Sequence, residues 1–238
     1  MRALVVARRE IRSAFNSPVA YIVAVAYLAF TASWLFFINQ FFVQDDASLS
    51  LYFNVVPVVL AVLLPALTMR SWAEERRMGT LEVLLTLPIR EGEVVVAKFL
   101  AVLFLLVLVT AFSLPIPLSL ARLGAFDAGQ IVAQYIGVLL IGAAGISVGL
   151  FISSLATNQV TAFVLGALAL VAITLAGQLP RALSLNGWLA NVLAYLALSQ
   201  HYDSFRKGLL DSRDVLYFVL VCALFLFLNL RVLLRRKS

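Results

Sequence analysis

Ser71-Trp72-Ala73-Glu74-Glu75-Arg76-Arg77-Met78-Gly79-Thr80-Leu81-Glu82-Val83-Leu84-Leu85-Thr86-Leu87-Pro88-Ile89-Arg90 lies between two long apolar runs and concentrates charge in a chain that has little of it. Gly79 breaks what precedes it, and Thr80 can cap the free N–H groups of the next turn. Glu82 falls in the first turn, where the helix dipole favours an anion. Leu81, Leu84, Leu85 and Pro88 are spaced i, i+3, i+4, i+7, which makes one apolar stripe. Pro88 disfavours helical geometry at Leu87 and ends the run. The pattern predicts a capped helix of two turns, about 10 Å long, suspended between two membrane spans. Its stripe has two candidate partners, the membrane surface and another protein.

Working outward, the 238 residues are 63% hydrophobic and 13% charged, with a mean hydropathy of +1.02. A soluble domain carries about a quarter charged residues, so most of this surface faces lipid. Apolar runs long enough to span, about 20 residues each, fall at 19–42, 52–72, 94–120, 131–155, 161–179 and 215–234. The expected fold is an all-α, polytopic membrane protein with six spans. No cleavable leader is expected, because the apolar residues from Val19 to Phe37 outrun a signal-peptide core. Residues 1–18 form a separate unit. Leu4, Ala7, Ile11, Ala14 and Phe15 share one helical face, and Arg2, Arg9, Arg12, Ser13 and Asn16 the other. With Arg8 this predicts a basic amphipathic helix on the membrane surface, held by headgroups or by a docked protein. Residues 19–238 form the transmembrane domain, with a loop at 71–93.

Lysine and arginine set the orientation. With the N-terminus in the cytoplasm, 13 of the 18 basic residues lie inside and five outside, as the positive-inside rule requires. Both termini are then cytoplasmic. The net charge of +6 follows from topology and anionic lipid, without nucleic acid.

The spans differ in texture. Trp34, Phe36, Phe37, Phe41, Phe42, Tyr52 and Phe53 are expected at the outer interface, where amphipathic rings sit well. Leu114-Pro115-Ile116-Pro117 should kink the third span. Gly142, Gly145, Gly149 and Ser153 put a stripe of small residues on the fourth, which lets a helix approach closely, within the chain or across a dimer seam. The longest connection, 180–214, contains an apolar run, Trp188 to Leu198, too short to span. It reads as an outer re-entrant or interfacial helix pair. Asp211 and Asp214 are placed to cap the last span.

Catalytic chemistry is not expected. There is no G-x-x-x-x-G-K-[ST] phosphate loop and no G-x-S-x-G elbow. The lone histidine, His201, reads as structural in an outer loop, and no His pair or Cys cluster offers a metal site. Charged residues avoid the middles of the spans, where ion-coupled carriers keep them. Lys98 and Arg70 sit near span ends, where they can snorkel. Any driving force should come from another protein.

Residues 74–88, Glu74-Glu75-Arg76-Arg77-Met78-Gly79-Thr80-Leu81-Glu82-Val83-Leu84-Leu85-Thr86-Leu87-Pro88, resemble the signature loop of ABC-2 type permeases, the six-span membrane subunits of ABC exporters. The run Ser199-Gln200-His201-Tyr202-Asp203-Ser204-Phe205-Arg206-Lys207-Gly208-Leu209-Leu210-Asp211-Ser212-Arg213-Asp214 resembles the subgroup associated with gliding-motility ABC transporters, to which nitrous-oxide-reductase maturation permeases are similar. The resemblance implies a type V exporter-like fold in a bacterial inner membrane. It implies that Thr80–Leu87 is the coupling helix seated on a separate ATPase, with Glu74, Glu75, Arg76 and Arg77 pairing with that ATPase or with each other. Arg8, Arg9 and Arg12 would flank it, and Thr157–Gln159 would add a lesser contact. The chain itself would bind no cofactor, ATP and Mg being held by the ATPase. A second permease copy, as a homodimer, or a similar subunit would complete the pathway. The alternative is a mechanotransmitting subunit that drives an extracytoplasmic accessory protein and moves no cargo. An intramembrane enzyme is disfavoured by the absence of paired catalytic side chains in the spans.

Overall fold

The computed structural model describes residues 2–15, 17–38, 49–80, 91–120, 127–182 and 187–237. These fold into helices, with no strand among the described residues. Helix α1 (Arg2–Phe15) precedes α2 (Pro18–Ser33), which runs into a π-helical turn at Trp34–Ile38. Then come α3 (Ser50–Thr68), α4 (Arg70–Arg77), α5 (Glu91–Phe112) and α6 (Pro115–Leu120). Helices α7 (Ala128–Leu155) and α8 (Gln159–Leu175) follow, with a 3₁₀ turn at Ala176–Gln178. Short helices α9 (Leu179–Ala182), α10 (Trp188–Leu196) and α11 (Leu198–Arg206) lead to α12 (Ser212–Lys237). Among the described residues, six stretches are long and apolar enough to cross a membrane: Pro18–Phe37, Ser50–Arg77, Glu91–Leu120, Ala128–Leu155, Gln159–Gln178 and Ser212–Arg235.

Local chemistry sets the boundaries. Ser17 caps α2 by accepting from the Val19 N–H at 3.3 Å, and Pro18 takes the first helical position, where a missing N–H costs nothing. Asp127 and Asn158 cap α7 and α8 in the same way, each side chain accepting a backbone N–H at 2.8 Å. The third span breaks at Ser113–Leu114, where Pro115 and Pro117 start α6.

Helix α7 is the axle. It packs against α3, α4, α5, α8, α11 and α12, and 67% of its span is buried, against 11% for the last span. Gly142 faces Leu106, Gly145 faces Leu64 and Gly149 faces Thr68, each so closely that a Cβ would lie 2.2–2.5 Å from a side-chain atom. The stripe therefore packs within the chain, on α3 and α5.

Two of the aromatic residues expected toward the outer interface are packed inside the chain. Tyr52 and Phe53 are fully buried. The Tyr52 hydroxyl donates to Thr31 Oγ1 at 3.3 Å, and the Phe53 carbonyl accepts from the Tyr202 hydroxyl at 3.2 Å. A hydroxyl that can reach a partner inside the bundle needs no interfacial water.

The connection between the last two spans also differs from its reading. The apolar run breaks at Ala197, and its helix α10 buries no residue. The more polar α11 sinks into the bundle instead, because Leu198, His201, Tyr202 and Phe205 recur at i, i+3, i+4, i+7 and are all buried. His201 is thus on a buried helix and not in a loop. Asp211 accepts the Arg213 N–H at 2.9 Å, as a cap does, but Asp214 turns inward to His201 at 2.7 Å.

Candidate functional site at the α1 end of the bundle

The chain's charged residues gather where α1, α4 and the start of α5 meet. Helix α1 packs against α5 and α2. Its Arg8, Arg9 and Arg12 are exposed, while Glu10 turns inward. Span 2 continues past its apolar part as α4, whose Trp72 and Ala73 are buried.

A side chain from α7 meets the break between α3 and α4 at Met69. Ser153 Oγ accepts the N–H groups of Trp72 and Ala73 at 3.2 and 3.3 Å and donates to the Met69 carbonyl at 3.2 Å. One hydroxyl, with one donor and two acceptor positions, thus serves three backbone groups at this break. Arg76 adds a second tie. Its Nη1 donates to the carbonyls of Leu155 and Ala156, at 3.0 and 2.8 Å. Those groups end α7, where helix carbonyls lack intrahelical partners.

Lys98 closes the cluster. Only 2% of it is exposed, so it does not snorkel. Its Nζ lies 2.8 Å from Glu75 Oε1, 3.1 Å from Glu10 Oε1 and 4.9 Å from the Trp72 ring centroid. A buried ammonium needs opposite charge and hydrogen-bond acceptors, and here they arrive from two elements, α1 and α4. Arg70 donates to Ser17 Oγ and lies 3.7 Å from Glu74 on the half-exposed side of α4, a pair worth little in water.

Glu75, through Oε1, and Arg76 are therefore engaged within the chain, Glu74 is loosely paired, and Arg77 is exposed. Gly79 adopts φ +69°, a left-handed conformation that ends α4 and turns the chain away from it. The Thr80 hydroxyl donates backward to the Glu75 carbonyl at 3.2 Å, so it ties off α4. Leu81, Glu82, Leu84, Leu85 and Pro88, expected to form the coupling helix, lie outside the described residues.

A cleft of about 500 Å³ opens between α1, the start of α2, the α3–α4 junction and α5. Arg9, Arg70 and Lys98 line it together with Glu10, Glu74 and Glu75. The balance of three cations and three carboxylates makes it a locked polar joint, unlike the one-signed lining that draws in an ion. No group of three or more His, Cys, Asp or Glu residues suited to a metal occurs among the described residues.

Sequence reading located the charged run but missed its two key partners. Lys98 and Ser153 were each assigned to a span end or a packing stripe, and no local pattern links them to residues 72–75. Residues 3–238 match the family model described as ABC-2 family transporter protein. No curated protein matches the chain.

Proposed function

Because the chain belongs to the ABC-2 transporter family, we propose that its α1 end couples a separate ABC ATPase to the six spans. Members of this family are multi-pass permease subunits of ABC transporters and work with an ABC ATPase. Residues 81–90 form the contact, with the stripe of Leu81, Leu84, Leu85 and Pro88 in a groove of the ATPase, and α4 is the lever behind it. The observation that carries this reading is the joint at Lys98. The segment leaving α4 is preceded by two turns of helix fixed to α5 and α1 through Lys98 and to α7 through Ser153 and Arg76. A push on residues 81–90 therefore moves spans 2, 3 and 4 and α1 together. A lever held only by headgroups would dissipate it.

In this account two permease copies carry two ATPases, which hold ATP and Mg. ATP-driven closure of the ATPases moves the spans between inward- and outward-facing states and exports cargo. The chain lies in the bacterial inner membrane with both termini in the cytoplasm. A photo-crosslinking residue at Glu82 tests the contact. Light should link it to the ATPase, whereas the same residue at Trp188 should not. Equal capture at both positions, or at neither, refutes the assignment.

A second reading is favoured by the opposite end. There α11 is bolted to α3, α7, α8 and α12 while α10 exposes Trp188, Leu189, Val192, Tyr195 and Leu196. The resemblance of residues 199–214 to the gliding-motility-associated subgroup agrees with it. In this reading ATPase motion is delivered through α11 to an extracytoplasmic partner, without cargo. Deleting Trp188–Leu198 would uncouple that partner and spare ATPase binding.

A further inference from the structure

The buried polar cluster at the opposite end has no part in the coupling joint. His201 on α11 is wedged between two other elements. Its Nδ1 lies 2.7 Å from Asp214 Oδ1 on α12, and its Nε2 lies 2.9 Å from the Tyr195 carbonyl at the end of α10. The ring stacks on Tyr217, with centroids 3.7 Å apart and planes at 19°. It meets Tyr195 edge-on at 5.1 Å. Tyr217 also donates to the Leu196 carbonyl at 2.8 Å.

Hydrogen-bond parity fixes the protons. A carbonyl oxygen only accepts, so Nε2 carries a hydrogen. A neutral imidazole with that hydrogen presents a bare lone pair at Nδ1. A carboxylate also presents only lone pairs, and 2.7 Å is hydrogen-bonding distance. The contact therefore holds one further proton, as an imidazolium facing a carboxylate or as a carboxyl donating to Nδ1. Flanking aromatic rings suit the imidazolium, whose charge is attracted to a ring face.

We propose that His201 and Asp214 form a proton-held clasp that fastens α10 to the last span and opens when that proton is lost. Loss of the proton leaves lone pair against lone pair, so the clasp is favoured at low pH and weakened as pH rises. The groups facing the ring are Asp214 and Tyr217 from α12 and Tyr195 from α10. On their side of α11, α3, α7 and α8 meet it through the Phe53 carbonyl, Gln134 and the Thr174 carbonyl, none of which changes charge. On α11 itself, Asp203 and Arg206 pair with each other at 3.1 Å. The extended residue Ala197, between α10 and α11, is the hinge. Opening frees the apolar face of Trp188, Val192 and Tyr195 to move, so acidity on that side of the membrane sets how firmly α10 is held.

The chain has one histidine, so ¹⁵N-histidine labelling reports this imidazole alone. In bilayer nanodiscs, the ring nitrogens are followed by NMR as pH is raised. In parallel, spin labels at Asn191→Cys and Leu210→Cys, in a Cys222→Ser background, report the distance from α10 to the segment just before α12. A single narrow distance is expected while both Nε2 and the Nδ1–Asp214 contact hold their protons. Broadening, or a second longer distance, should appear in the same pH step in which the second proton is lost. Asp214→Asn can donate its amide hydrogen to the neutral ring, so it should keep the narrow distance through that step. His201→Ala should give the broad distribution at every pH. The proposal is overturned by a distance change in Asp214→Asn at the same pH. It is equally overturned by proton loss with α10 unmoved, or by retention of the proton across the whole range in which the protein stays folded.

Discussion

Lys98→Met removes one charge from the joint while nearly keeping the length of the side chain. The wild-type ammonium sits 2.8 and 3.1 Å from two carboxylates. Each such pair is worth about 4 kcal/mol or a little more in an effective dielectric of about 20, offset by a desolvation cost of several kcal/mol for the buried cation. The substitution leaves Glu10 and Glu75 facing each other without their counter-ion. Removing one partner of a buried pair costs about 3–5 kcal/mol. Here the carboxylate side chains are 25% and 21% exposed, and water takes part of that cost, so a net loss of about 2 kcal/mol is expected. For a chain of this length that is a fall of about 4–8 °C in Tm, measured by thermal unfolding in nanodiscs. Adding Glu10→Gln and Glu75→Gln removes the facing carboxylates and should restore most of the loss. Functionally, Lys98→Met should still bind the ATPase, because residues 81–90 are untouched, but its stimulation of ATP hydrolysis should fall. A Tm within one degree or so of wild type, or a triple variant less stable than the single one, would refute the picture of a charge-locked joint.

Further substitutions probe neighbouring parts of the same end. Ser153→Ala strands the buried N–H groups of Trp72 and Ala73, at about 1–3 kcal/mol for each group left unsatisfied, read as lower Tm with ATPase binding retained. Gly149→Val drives a branched side chain into Thr68, whose Oγ1 lies 2.3 Å from the Cβ position. Overpacking of about 1–3 kcal/mol is expected, and more than from Gly142→Ala, which meets only the movable end of Leu106. Arg76→Gln loses the ties to Leu155 and Ala156 and should raise amide exchange in 70–80 without altering exchange in α12.

The six spans were legible because hydropathy over about 20 residues needs no tertiary information. The break at Pro115 was legible for a related reason, since it acts on its own backbone. What escaped the sequence is what depends on partners far apart in the chain. Lys98 reads as a snorkelling residue until Glu10, 88 residues earlier, and Glu75, 23 residues earlier, are folded against it. Ser153 reads as one more small residue in a stripe, although its hydroxyl bonds three backbone groups around Met69. The apolar α10 was the natural candidate for burial, yet the polar α11 carries the aromatic stripe that fits among α3, α7 and α8.

The central claim is that residues 81–90 seat the ATPase, and the double substitution Leu84→Asp with Leu85→Asp tests it most directly. Two carboxylates on the apolar stripe should abolish pull-down of the ATPase while the permease inserts in the membrane at its normal level and keeps its Tm. Undiminished recovery of the ATPase with the doubly substituted permease would contradict the account.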